Sequence, residues 1–151
     1  MTAPRAGAGR FLVVRAGGER YGLDLAAVRE IVDVAPPRPV PARTAALRGV
    51  MPVREHFCSL LHLGALLAGG GMTPPAVTGD TAVIVETAHA RVALEVDDVE
   101  AVVDRGAEYV GAAPAAWASG VWRVGTELVT VLDLGVLAER ITEGGSGNDA
   151  G

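Results

Sequence analysis

The chain has 151 residues, half of them apolar, with a mean hydropathy of +0.33, enough to bury a core without disulfide staples. Thirteen basic residues, all arginine and scattered from Arg5 to Arg140, stand against eighteen acidic ones for a net charge of −5. That leaves no basic patch for nucleic acid. No apolar run reaches the ~18–20 residues of a membrane span, Phe11–Val14 is too short for a signal peptide, and the single Cys58 rules out an intramolecular disulfide. A soluble, cytoplasmic protein is expected.

In chain order, residues 1–9 and 142–151 read as flexible tails, the second because Gly-Gly-Ser-Gly-Asn-Asp-Ala-Gly cannot offset its ordering entropy. The fold is expected between about Arg10 and Ile141, as one lobe near residues 10–68 and another near 80–141. Phe11–Val14, Tyr21–Leu25, Ala82–Val85, Val92–Val96 and Leu128–Leu132 are valine-rich and alternating, the pattern of strands. A 3.6-residue period survives only over Ala26–Ile31, Leu63–Leu67, Val99–Val103 and Leu134–Ala138, one to two turns each. Ala35–Pro41, with four prolines, and the glycine-rich Gly69–Gly79 read as turns or linkers, and Gly69 suits a helix stop after Leu67. The class is mainly β.

The chain aligns with itself when residue n is laid over residue n + 71. Val14/Val85, Arg20/Arg91, Leu23/Leu94, Val28/Val99, Val32/Val103 and Asp33/Asp104 are identical pairs, and Gly49-Val50 overlays Gly120-Val121. Further on, Phe57-Cys-Ser-Leu-Leu-His-Leu-Gly-Ala-Leu66 overlays Leu128-Val-Thr-Val-Leu-Asp-Leu-Gly-Val-Leu137. An internal duplication follows. Each copy carries few, short, alternating strands and a terminal helix, which favours two small barrels leaning on each other across a pseudo-twofold axis.

Catalytic signals are missing. Gly7-Ala-Gly-Arg lies in the tail, Gly69-Gly-Gly-Met runs into prolines, no lysine exists for a phosphate loop, and Ser59 and Ser119 have no triad context. His56, Cys58 and His62 would share one face of a strand, yet His56 and His62 lie about 20 Å apart along it, beyond a single zinc sphere. His89 falls in an expected hairpin tip. Glu95, Asp97, Asp98, Glu100 and Asp104 lack the spacing of a calcium loop and read as a solvated acidic face. No catalytic residue, metal ligand or cofactor is assigned. By pattern alone, Val28 reads as core, Glu30 as a solvated charge and Arg54 as a turn residue.

Tyr21-Gly-Leu-Asp-Leu-Ala-Ala-Val-Arg-Glu-Ile31 resembles the Tyr-Gly-aliphatic-Asp-aliphatic-x-x-Val-x-Glu-Ile signature of CheW-like domains. Gly49-Val-Met-Pro-Val-Arg-Glu55 stands where that family has Gly-Val-x-Asn-Leu-Arg-Gly, and Val92-Ala-Leu-Glu-Val-Asp-Asp-Val-Glu-Ala-Val looks like a second family element. The resemblance covers about Arg10 to Ile141. It implies two SH3-like five-stranded β-barrels and a non-catalytic scaffold that couples chemoreceptors to the histidine kinase CheA. The implied partners are the kinase's regulatory domain and the cytoplasmic tip of the receptor, with no nucleic acid and no membrane insertion. Matching the motifs puts Val28, Glu30 and Arg54 where the family has partner-binding residues. Departures are concentrated in the first copy, where Pro52-Val-Arg-Glu55 replaces Asn-Leu-Arg-Gly and Ser59-Leu-Leu-His62-Leu63 replaces Pro-aliphatic-aliphatic-Asp-Leu. Glu55 lacks glycine's access to positive φ, so a turn of another shape is expected around Arg54. Two other readings stand beside this one: a CheW-like paralogue of a non-chemotactic kinase pathway or one without receptor binding, and a small zinc protein or enzyme using His56, Cys58 or the acidic cluster.

Overall fold

The computed structural model describes residues 9–41, 44–88, 90–104 and 108–144. The expected tails, apart from Gly9 and residues 142–144, and the hairpin tip at His89 lie outside them. β1 (Phe11–Ala16) and β2 (Glu19–Asp24) form a hairpin closed by Gly17 and Gly18, and a single 3-10 turn, Leu25–Ala27, leads into β3 (Val28–Asp33). β4 (Leu47–Val53), β5 (His56–His62) and the short helix α1 (Leu63–Ala68) complete the first half. The second half runs β6 (Thr81–Glu86), β7 (Arg91–Val96), β8 (Asp98–Val103), β9 (Glu108–Gly111), β10 (Ala118–Val124), β11 (Glu127–Leu132) and α2 (Leu134–Gly144).

The five segments read as strands are β1, β2, β6, β7 and β11. Helical period misleads at Ala26–Ile31 and Val99–Val103, which are largely β3 and β8. A one-turn helix has no cooperative support, whereas valine at half-buried sheet positions fits the pleat. α1 does stop at Gly69, whose φ of 63° makes the left-handed cap. α2 is longer than its pattern implied, continuing through residues 142–144.

One sheet has the order β8-β1-β2-β11-β10-β9 and the other β3-β6-β7-β5-β4. Neither is built from one half of the chain, so residues 10–68 and 80–141 do not form separate sheets. Instead β2 pairs parallel with β11, and β5 parallel with β7, each joining strands from different halves. Nor does either sheet close into the five-stranded barrel expected from the sequence. Prolines explain part of this. Between β3 and β4, Pro36, Pro37, Pro39 and Pro41 have no N–H to donate to a ladder. Arg38 alone among residues 36–39 can pair both ways, and it does so with Val50 at 2.7 and 2.9 Å. One bridge stands where the other sheet has β9.

Each sheet nevertheless curls around its own apolar cluster. Met51, Cys58, Leu60, Ala82, Ile84 and Ala93 fill the five-stranded sheet, with Val32 packed against them. Phe11, Val13, Trp122, Val129 and Val131 fill the six-stranded one. A larger cluster joins the sheets and helices, including Leu23, Leu61, Leu63, Leu66, Val83, Leu94, Leu132 and Leu137. Register breaks fall at Arg29 in β3 and Glu100 in β8, and at Arg48 in β4 and Ser119 in β10. The members of each pair are equivalent positions of the two copies. An extra residue in one strand re-aims the neighbouring side chains, which decides where the charged groups of these strands point.

Candidate partner-binding surface

Glu30 lies on β3 and Arg54 in the turn between β4 and β5, at opposite edges of the five-stranded sheet. Curling brings them together. Arg54 Nη2 donates to Glu30 Oε1 at 2.8 Å and Arg54 Nε to Oε2 at 3.2 Å, a bidentate pair. The hydrogen bond from Arg54 holds the Glu30 carboxyl below the usual carboxylate range, against a smaller opposing effect of desolvation. The cross-strand neighbour of Glu30 is Ile84, a member of the inner cluster. Cys58 lies close enough to feel the Glu30 charge, although burial is what chiefly raises its thiol. The ion pair therefore sits at the rim of that cluster. Arg54 leaves 76% of its side chain exposed and Glu30 28%, so the guanidinium remains available while the carboxylate orients it.

The register break at Arg29 separates Val28 from this pair. Val28 faces Val85 and packs, half-buried, against the core between the sheets. The structure thus joins Glu30 and Arg54 into a unit and places Val28 beside it as a packing residue.

Arg54 is the non-glycine residue with positive φ among the described residues, at 55°. The strain falls on the arginine itself and not on Glu55, so the turn keeps a two-residue form, with Val53 opposite His56. In the other sheet the β10–β11 turn has the same form, and Gly125, the equivalent residue of the second copy, has φ 62°. A left-handed conformation costs a residue with a Cβ roughly 1–2 kcal/mol that glycine does not pay. Such strain concentrates at functional positions.

The CheW-like domain model matches residues 10–142 of this chain. The chain belongs to the CheW-like domain family. It is 25% identical over 142 residues to the chemotaxis protein CheW of Treponema pallidum (strain Nichols), spanning 83% of this chain and 79% of that protein. Its fold is similar to the crystal structure of the scaffolding protein TtCheW from Thermoanaerobacter tengcongensis, with a TM-score of 0.68 and 19% identity over 82% of this chain and 88% of the other. This CheW-like domain is accordingly a chemotaxis coupling adaptor.

Around the ion pair, the domain carries further charge and apolar surface. Glu86 Oε1 accepts from Arg29 Nε at 2.7 Å and from Arg91 Nη2 at 3.1 Å, and these two hydrogen bonds, Arg91 first, hold its carboxyl below the usual range. Ile31 on β3 and Phe57 on β5 are exposed, Phe57 by 68%. Neither was singled out from the sequence, where an apolar residue on a strand reads as core. Their counterparts in the second copy, Val102 and Leu128, are exposed as well. The sequence carried no signal for this, because matching apolar residues in the two copies read as core.

Other sequence candidates disperse. His56 is exposed at the start of β5, while Cys58 and His62 are buried along it. No group of three metal-ligating side chains forms among the described residues. The acidic run does not make one solvated face. Glu95 is buried in a bidentate pair with Arg48, and the two side chains are 5% and 9% exposed. Asp97 accepts the Gly17 amide at 2.9 Å, and Glu100 accepts from Arg20 at 2.8 Å. Periodicity could not separate Glu95 from its neighbours because its partner Arg48 lies far away along the chain, on β4. Among the described residues, no helix is long and apolar enough to cross a membrane.

Proposed function

We propose that this CheW-like domain acts in the cytoplasm as a non-catalytic adaptor, linking the cytoplasmic tip of chemoreceptors to the regulatory domain of a CheA-type histidine kinase. Glu30 and Arg54 form its charged receptor-facing element, and Val28 supports them from the core side. The observation that carries the site is the bidentate pair: an exposed arginine held in a strained turn by a carboxylate from the opposite sheet edge. Preorganised guanidinium of this kind suits carboxylates on a partner, while exposed Ile31 and Phe57 supply apolar contact.

The same reading makes residues 10–141 the domain, with flexible tails outside it. The two halves are copies about a pseudo-twofold axis, each sheet an open relative of an SH3-like barrel. Register breaks at equivalent positions of the two copies support it.

Calorimetric titration with the kinase regulatory domain and receptor tip encoded in the same genome tests the function. Binding to both is expected, with Arg54→Ala weakening the receptor tip at least about tenfold and leaving the kinase unaffected. Failure of the unsubstituted protein to bind either partner would refute the adaptor reading. Loss of both affinities in Arg54→Ala would refute the assignment of this face to the receptor.

A further inference from the structure

His62 closes β5 and begins α1. The side chain is buried, its backbone N–H donates to the Ala46 carbonyl at 2.8 Å, and its Nδ1 accepts the Ala65 amide at 3.0 Å. It is the N-cap of α1. An imidazole nitrogen accepts only while it carries no proton, so the ring must be neutral with its hydrogen on Nε2. Asp133, its equivalent in the second copy, does the same work for α2, where its Oδ1 accepts the Val136 amide at 3.1 Å. A carboxyl group keeps an acceptor oxygen in either protonation state. Protonating the imidazole instead turns the acceptor into a donor aimed at a donor, with a positive charge beside unpaired helix amides.

The surroundings do not favour the proton. Charged groups facing the ring are Glu95 on β7, its register neighbour, Arg48 on β4, and Asp97 just past β7. Neither α1 nor Gly69–Gly79 contributes a charge. Glu95 is already committed to Arg48 and to the Gly79 amide at 2.8 Å, and Arg48 also donates to the Pro75 carbonyl at 2.6 Å. Burial outweighs the attraction of Glu95 and holds His62 below the ordinary histidine value, with Arg48 acting in the same direction.

Movement of α1 would be felt elsewhere. Leu63, Ala65, Leu66 and Leu67 belong to the core between the sheets, and the carbonyls of Leu66 and Leu67 accept from Arg140 Nη1 of α2 at 3.0 and 3.4 Å. We propose that His62 makes α1 an acid-release element: protonation removes its cap, frees α1 together with Gly69–Gly79, and undoes the hold on Arg140, while the Asp133 cap keeps α2 folded. The sign follows from the depressed native value. Above about pH 6.5 neither state binds the proton. Below it the opened chain binds the proton more readily than the closed one, and opening grows easier as the pH falls, by at most about tenfold per pH unit, until the native ring titrates.

Amide hydrogen exchange in the full chain between pH 8 and 5, corrected for the intrinsic rate, measures this directly. Protection of Ala65 is expected to fall as the pH drops below about 6.5, by at most about tenfold per pH unit, with Val136 unchanged. His62→Asp should flatten the Ala65 profile, and His56→Gln should leave it as it was. Imidazole nitrogen spectra of the unsubstituted protein at pH 8 should show the hydrogen on Nε2, a readout that does not depend on any variant folding. A parallel loss of protection at Ala65 and Val136, a wild-type slope in His62→Asp, or a hydrogen on Nδ1 would each overturn the proposal.

Discussion

Arg54 and Gly125 occupy the same place in two hairpins, β4–β5 and β10–β11, with nearly the same φ of 55° and 62°. Glycine meets that demand without strain; arginine meets it against a steric cost and with a carboxylate clamped on its guanidinium. The contrast recurs at other equivalent positions of the two halves. His62 caps α1 where Asp133 caps α2, and the register break that holds Arg48 against buried Glu95 holds Ser119 against the Val131 carbonyl. At the hairpin turn and at the register break the first half puts an arginine where the second has a glycine or a serine. At the helix cap it puts an imidazole, which can lose its acceptor to a proton, where the second has a carboxyl. Such departures mark a region shaped by something besides folding.

The largest test of that contrast is the buried pair. Arg48→Ala takes the cation away from buried Glu95 and leaves it only the Gly79 amide among its present partners, and should destabilise the protein by about 3–5 kcal/mol in denaturant titration. Ser119→Ala in the other half should cost about 1 kcal/mol, one hydrogen bond. Equal losses would mean that the first half gains nothing distinctive from its ion pair. Next comes the backbone behind it. A Cβ at Gly49 would lie 2.2 Å from the Arg38 carbonyl oxygen, which belongs to the single bridge with Val50 and cannot swing aside. At Gly120 it would meet the rings of Tyr109 and Trp122 at 2.8 and 2.9 Å. Gly49→Ala should therefore cost about 3 kcal/mol and Gly120→Ala about 1–2 kcal/mol, compared by thermal unfolding. The reverse order would show that the proline segment yields more readily than the aromatic cluster.

Those two glycines also show how far the fold was legible. Both stood out as an aligned pair in the sequence, and alternation located β1, β2, β6, β7 and β11, because side-chain period is a local property. Sheet membership was not local. The parallel pairs β2–β11 and β5–β7 join strands from opposite halves, and nothing in the alternation of β2 marks it for β11 rather than for its own half. Open edges were hidden for a different reason: the prolines were visible, but their effect depends on which strand they would have paired with. At the candidate site, the motif pointed to Glu30 and Arg54 separately. Their direct contact depends on the curl of the sheet, and the loss of a glycine at Glu55 led to an expected change of turn shape without showing that Arg54 itself takes the positive φ.

That strain permits a sharper cut between folding and binding. Arg54→Gly removes the guanidinium and the Cβ together, making the first hairpin like the second. Melting temperature should rise by about 2–4 °C if the relieved backbone outweighs an exposed ion pair, while affinity for the receptor tip falls at least about tenfold. Glu30→Gln should lower the affinity less, since the arginine remains but loses its clamp. A lower melting temperature in Arg54→Gly with unchanged affinity would make the arginine a structural turn residue and erase the difference between the two hairpins.

The smallest effect is expected at the other hairpin, and it serves as the control for all the rest. A Cβ on Gly125 meets nothing within 4 Å, so Gly125→Ala adds no clash and only the conformational cost of φ 62°. That cost is about 1 kcal/mol, or about 2–4 °C in melting temperature for a chain of this size. Because an alanine side chain has no donor for a carboxylate to hold as Glu30 holds Arg54, nothing it adds offsets the strain, and neither kinase nor receptor affinity should change. If Gly125→Ala weakens a partner as much as Arg54→Gly does, the second hairpin is also read by that partner. The asymmetry between the halves would then lie in their chemistry and not in their use.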